Sequence, residues 1–214
     1  MAEKMKYPHT PHLPFSECVT SDDTFLTSVD HLIGMNVVVT EKMDGEGFTL
    51  AKQFCHARSL DSRDHPSRHI VKNLWGKIAW EIPESFRVTG ENIYAKHSIY
   101  YVGLKAYFQV FAIFDGDVCL SWKDTVDWCK LLNLVHVPVL YSGLWNETKI
   151  RACMTGKSTQ NGEQEGYVVR NVEAFPFEAF DRNYAKYVRR GHVTCSEHWL
   201  DEAIVPNLLA PDAQ

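Results

Sequence analysis

The feature that most narrows the fold of this chain is a run of β-branched residues that ends abruptly in charge and glycine. Asn36-Val37-Val38-Val39-Thr40 has the composition of a strand. It is followed at once by Glu41-Lys42-Met43-Asp44-Gly45-Glu46-Gly47. Gly45 breaks the run, and residues 48–54 read as the returning strand of a hairpin. A lysine thus stands at the end of a buried strand, beside glycines that let backbone come close to phosphate. Desolvation disfavours its ammonium form, so the expectation is a lowered pKa and an amine nucleophile. Moving a lysine from about 10.4 to near 8 costs about 3 kcal/mol, which the fold has to supply. The same residues also describe a solvated lysine ahead of an Asp-Gly turn, so this motif alone does not fix a chemistry.

The rest of the pattern is mixed. Ile70, Val71, Leu74, Trp75, Ile78, Ala79 and Ile82 share one face at 3,4 spacing and predict a helix over 67–82, with Pro66 in its first turn. Residues 86–89 and 107–114 read as strands, the second alternating before the Asp115-Gly116-Asp117 turn. Further helices are expected at 125–132 and 147–154, and further strands at 137–141, 166–170 and 185–188. Residues 157–164 are polar and loop-like, and residues 7–28 form an extended lead-in with turns. Hairpins with interspersed helices imply an α+β fold of antiparallel sheets flanked by helices. No linker divides the chain, so a single domain over 1–214 is expected.

Composition limits the functional classes. With 45% hydrophobic and 23% charged residues, the chain falls with soluble globular proteins. No apolar run approaches the roughly 20 residues that span a bilayer, and the first residues lack a signal-peptide stretch, so the expected location is cytoplasmic. Six cysteines without a CxxC pair argue against a zinc ribbon or a thioredoxin-like motif and are expected to be reduced and structural. The ten histidines show no HExxH motif, and none is expected to bind metal; His97 is expected to be structural. A net charge of -5 means that any nucleic acid has to meet a local basic patch. Arg58, Arg63, Arg68, Lys96, Arg189 and Arg190 are the candidates.

Four later segments extend the lysine motif. They are Gly90-Glu91-Asn92, Phe111 within Tyr107-Phe108-Gln109-Val110-Phe111, Glu165-Gly166-Tyr167-Val168-Val169-Arg170, and Ala185-Lys186-Tyr187-Val188-Arg189. Lysine, carboxylate, aromatic, carboxylate and lysine in that order resemble the ordered motifs of the covalent nucleotidyl transferases. The wording Gly90-Glu91-Asn92-Ile93-Tyr94-Ala95-Lys96-His97-Ser98 looks most like the ATP-dependent RNA ligase family of the phage RNA ligase 2 type. The resemblance covers residues 36–190.

That resemblance implies an ATP-grasp-like nucleotidyl-transferase (adenylation) domain with ATP and Mg²⁺, or Mn²⁺, as cofactors and RNA ends as substrate. It implies that Lys42 attacks the ATP α-phosphate, Glu91 binds the ribose, Phe111 stacks on adenine and Glu165 helps hold the metal. Lys186 would neutralise α-phosphate charge, and Arg58, with Arg63 as substitute, would be the basic residue of the motif after the first. Backbone near Glu41 is expected to read the base. A ligase for DNA or hybrid nicks, a capping-type guanylyltransferase and a non-catalytic nucleotide- or RNA-end-binding module remain as alternatives. The family usually has asparagine at Gly47, an acid at Ala112 and a lysine at Val188. About 25 residues follow the last motif, too few for an OB-fold domain. This favours the RNA ligase reading and leaves room for a protein partner in end binding.

Overall fold

The computed structural model describes residues 1–17, 23–192 and 203–213. The Val-rich run forms β1 (Asn36–Lys42), and the chain returns as β2 (Glu46–Leu50) and β3 (Cys55–Ala57). β4 (Phe86–Asn92), β5 (Phe108–Asp115), β6 (Val118–Cys119), β7 (Val135–His136) and β8 (Val139–Leu144) follow, then β9 (Gly166–Asn171), β10 (Phe175–Pro176) and β11 (Tyr184–Val188). They form two sheets. One has the order β11-β9-β1-β8, and the other β10-β6-β5-β4-β2-β3, with β7 beside β5. Every pairing of named strands is antiparallel except β5 with β7. The α+β expectation therefore holds.

β1 is buried from Val37 to Glu41 because it lies inside its sheet and is covered on both faces. Val37 and Val39 pack with Leu13, Tyr167, Val169 and Ile150, the last from α3 (Glu147–Arg151). The second sheet is covered by α1 (His69–Ile78) and α2 (Trp122–Leu131). Val71, Ile78 and Cys129 from these helices meet Phe48, Leu50, Val88, Val110 and Ile113. A short α4 (Phe180–Asn183) leads into β11.

Several predicted boundaries move. The helix expected over 67–82 is α1 with a 3-10 turn at each end, Pro66–Arg68 and Ala79–Glu81, a common tightening at helix termini. The strand expected to run to residue 54 stops at Leu50, where the Ala51 amide bonds the Phe54 carbonyl and turns the chain into β3. The strand expected at 137–141 begins only at Val139, as β8 in the first sheet, and the short β7 that precedes it lies in the second. The amide of Val137 bonds the Val110 carbonyl, whereas the Pro138 carbonyl accepts from the Glu41 amide. Proline has no donor of its own, and the chain changes sheets there.

Both end segments are bonded into the fold. In the lead-in, the Leu13 amide donates to the Lys186 carbonyl and the Lys186 amide to the Pro11 carbonyl, each at 2.8 Å. Near the other end, Asn207 is fully buried. Its side-chain oxygen accepts from the Tyr101 amide, and its nitrogen donates to the Ile93 carbonyl, both at 2.9 Å. Cys55, Cys119, Cys129 and Cys153 are free thiols; Cys18 and Cys195 lie outside the described residues. Among the described residues no helix is long and apolar enough to cross a membrane.

Asn207→Ala leaves one buried amide and one buried carbonyl without partners, at about 1–3 kcal/mol each before relaxation. Urea unfolding should show a loss of about 2–4 kcal/mol; a loss under about 1 kcal/mol would mean that this segment does not hold the Ile93–Leu104 region in place.

Candidate active site

The link between β1 and β2 carries the chain from one sheet to the other, and Lys42 is the last residue before the crossing. A Cβ at Gly45 would lie 2.6 Å from the Asn92 carbonyl oxygen, so only glycine lets this turn close against the end of β4. Lys42 pairs in register with Gly166, which puts Glu165 beside it; Lys42 Nζ is 2.6 Å from Glu165 Oε1. A Cβ on Gly166 would fall 1.9 Å from the Tyr187 carbonyl oxygen. Its absence lets β11 press onto β9 and brings Lys186 to the same cleft. From the second sheet, Gly47 pairs with Glu91, and the Arg58 amide bonds the Gly47 carbonyl at 2.8 Å.

The result is a cavity of about 730 Å³ lined by Glu41, Lys42, Arg58, Glu91, Phe111, Glu165 and Lys186 together. Its size is that of a small-molecule site, typically about 300–1,000 Å³. All seven residues singled out in the sequence reach one space, although 145 positions separate the first from the last.

The charge balance differs from the expectation. Burial pushes the Lys42 amine down, but the carboxylates of Glu165, Glu91 and Asp44 outweigh it and hold the pKa above its ordinary value. The lowered lysine pKa expected from a buried strand end therefore does not hold in the unliganded protein. Burial pushes Glu91 up to about 8, with Lys42 opposing and Glu165 and Asp44 adding to the rise. Glu165 is also raised, chiefly by burial. Asp44 stays anchored, since its Oδ2 accepts from the Ser98 amide and hydroxyl, both at 2.8 Å, and from the Ile99 amide at 2.6 Å. Lys186 Nζ lies 3.0 Å from Asp23 Oδ1, which is also 3.0 Å from His12 Nε2. Burial lowers the Lys186 pKa and Asp23 offsets part of that shift.

At the other end of the cavity, Phe111 meets the Tyr7 ring edge-on at 5.0 Å, and Val137 and Val168 complete an apolar slot. Glu41 Oε2 accepts from the Thr159 amide at 3.1 Å and from its hydroxyl at 2.7 Å. Glu41 Oε1 is buried without a hydrogen-bond partner. Arg58 Nε is likewise buried and unpartnered.

The expected cation cluster is not assembled as such. Arg68 is buried and holds both oxygens of Glu46, at 2.8 and 2.5 Å, so it is not a surface cation. Arg63 gives its carbonyl to Arg68 and does not line the cavity, so it does not substitute for Arg58. Arg189 pairs with Glu163, while Lys96 and Arg190 are exposed. His97, expected to be structural, lines the cavity. Asp23, Thr159 and His192 were not visible as site residues, because each reaches the cleft through a partner far along the chain: Asp23 through Lys186, Thr159 through Glu41 and His192 through Asp44. Of the departures, Gly47 has no left-handed backbone, and a Cβ there would meet only Arg58 Cβ at 3.7 Å, so a side chain fits. Ala112 is fully buried among Phe114, Phe175, Phe180 and Tyr184, where an acid would be desolvated. Val188 lines the cavity.

Comparison with known proteins gives the family and the fold. The family model described as RNA ligase matches residues 35–188. No curated protein sequence matches the chain. An RNA ligase of Naegleria gruberi, a mutant solved with ATP and Mn, superposes with a TM-score of 0.56 at 18% identity, over 89% of this chain and 64% of that one. The Naegleria gruberi RNA ligase with PPi gives 0.54 at 18%, over 89% and 62%. An archaeal ATP-dependent RNA ligase gives 0.53 at 15%, over 86% and 48%. The chain thus spans less than two thirds of the length of these structures. At these identities the superpositions speak for the shared α+β fold. The match over residues 35–188 covers most of the chain, and this chain belongs to the RNA ligase family.

Proposed function

We propose that this chain is the adenylating unit of an ATP-dependent RNA ligase, with Lys42 as the residue that carries AMP. The observation that supports it most is the Lys42–Glu165 contact of 2.6 Å inside a cavity with carboxylates at one end and an apolar slot at the other. In this reading Lys42 Nζ attacks the α-phosphorus of ATP, a phosphoramidate N–P bond forms, and pyrophosphate leaves. AMP then passes to a 5′-phosphate on RNA, and a 3′-OH attacks that phosphate, sealing the strand and releasing AMP. Phe111 stacks on the base and Glu91 holds the ribose hydroxyls. Arg58 and Lys186 face the phosphates, where their charge counters the negative charge that develops in transfer.

Lys42 has to lose its proton before attack. Glu165 is the nearest base, and its raised pKa suits it to accept that proton. The carboxylates Asp44, Glu91 and Glu165 around one lysine suit a divalent cation, Mg²⁺ or Mn²⁺, with Glu165 a ligand; its Oε2 is buried without a hydrogen-bond partner. Such an ion, when bound, offsets the charges that keep Lys42 protonated. Glu41 Oε1, buried and unsatisfied, is an acceptor suited to the exocyclic amine that adenine carries at C6, where guanine carries a carbonyl.

A nicked RNA duplex with 5′-phosphate and 3′-OH ends tests the function. ATP should support joining and GTP should not; joining without nucleotide by unadenylated protein would overturn the reading. Base choice is tested at Thr159, which aims Glu41. Thr159→Val removes one hydrogen bond to a carboxylate and should raise the KM for ATP about 10-fold, narrowing the ATP-over-GTP preference. An unchanged preference would separate Glu41 from base recognition.

Glu91 gives a pH test. Its folded pKa of about 8 lies above the ordinary value of 4.5, so the folded state holds a proton that the unfolded chain has lost. Its contribution is fully present below 4.5, falls as pH rises, and is gone above about 8. Relative to wild type, Glu91→Gln should therefore gain stability steadily between pH 5 and pH 8 in urea unfolding. A difference independent of pH would contradict a half-buried carboxyl that holds its proton.

A further inference from the structure

We propose that His192 completes, with Asp44 and Glu165, a direct binding site for a divalent transition metal that has nitrogen as one of its donors. The proposal deepens the ligase reading, on which its purpose rests, by naming the kind of ion the cleft prefers.

The three residues come from the turn after β1, the residue before β9 and the segment after β11, and each is more than 90% buried. His192 Nε2 is 3.3 Å from Glu165 Oε1 and 3.7 Å from Asp44 Oδ1, and one donor atom from each residue lies within 4.8 Å of the others. Donors about 2.1 Å from a common ion are at most about 4.2 Å apart, so side-chain movements of about an ångström or less close the set. One observation beyond the cluster itself points to a cation, and a second shows how a ligand would be held. Glu165 Oε1 already holds Lys42 Nζ at 2.6 Å, and Oε2 of the same carboxylate is buried without a hydrogen-bond partner, which leaves an acceptor for an ion. Asp44 has its other oxygen fixed by three donors, which orients Oδ1 as an outer contact orients a metal ligand.

The donor set decides the metal class. Mg²⁺ prefers oxygen and holds its waters, whereas imidazole favours Mn²⁺, Co²⁺ or Zn²⁺ in increasing degree over Mg²⁺. His192 therefore biases a cleft that would otherwise take Mg²⁺ toward transition metals.

The test uses the full chain, stripped with chelator and free of nucleotide. Co²⁺ and Mg²⁺ are titrated by calorimetry, with the visible absorption of Co²⁺ as a second signal, into wild type, His192→Ala and His192→Asp. Wild type should bind Co²⁺ at least 10-fold more tightly than Mg²⁺. His192→Ala should lose at least 10-fold in Co²⁺ affinity while Mg²⁺ affinity changes less than 2-fold. His192→Asp, which exchanges nitrogen for oxygen, should bring the two ions closer in affinity. Equal Co²⁺ binding in wild type and His192→Ala, or equal affinity of wild type for both ions, would overturn the site. Circular dichroism identifies a misfolded variant, and the wild-type comparison of the two ions stands without any variant. Failure to take up AMP from ATP would sink the ligase reading and leave the titration intact; an unchanged titration beside normal uptake would sink only this inference.

Discussion

The ion pair between Lys42 and Glu165 sits where the two sheets meet, and the surrounding structure exists to bring those two groups together while burying them. Glu165 is almost wholly buried and Lys42 is partly so. Neither charge is stable there without the other, since an isolated buried ion costs several kcal/mol. The pair is therefore a structural tie. It fixes the end of β1 to the start of β9, and through Gly166 it sets the approach of β11.

Around that tie the protein spends much of its polar chemistry on neutralising charge. Arg68 encloses Glu46, Asp23 holds Lys186, and Ser98 and Ile99 hold Asp44. What is left unbalanced is informative. Glu41 Oε1, Glu165 Oε2 and Arg58 Nε are buried without hydrogen bonds in a cavity that they line. Buried polar atoms are rarely left so, and a cluster of them in one space marks where a polar ligand belongs. Two acceptors and one donor in a cleft with an apolar end fit a nucleotide and its cation better than an apolar guest.

The parts of this arrangement that show in the sequence are those carried by local pattern. The Val37–Val39 run, the alternation through β5 and the 3,4 spacing of α1 each reflect which side chains a single element has to bury. The five motifs were legible because each keeps its own short wording next to a strand. Boundaries failed where tertiary pairing decided them: β2 ends early because β3 folds back onto it, and the strand expected from residue 137 starts at Val139 because the chain passes from one sheet to the other at Pro138. The sign of the Lys42 shift also failed. A strand end predicts desolvation, but Asp44, two residues on, together with Glu91 and Glu165 from distant parts of the chain, reverses it, and no window around Lys42 contains more than the first of them. Asp23, Thr159 and His192 were illegible for the same reason, since nothing local distinguishes them from surface residues.

The claim on which the rest hangs is that Lys42 carries the nucleotide. Purified protein incubated with ATP and Mn²⁺ or Mg²⁺, then analysed intact and as peptides by mass spectrometry, tests it directly. The account predicts one AMP per chain, acid-labile and hydroxylamine-resistant, on the peptide containing Lys42, and none in Lys42→Ala or Lys42→Arg that remain folded. AMP on another residue, or an adduct that survives in Lys42→Ala, would contradict it.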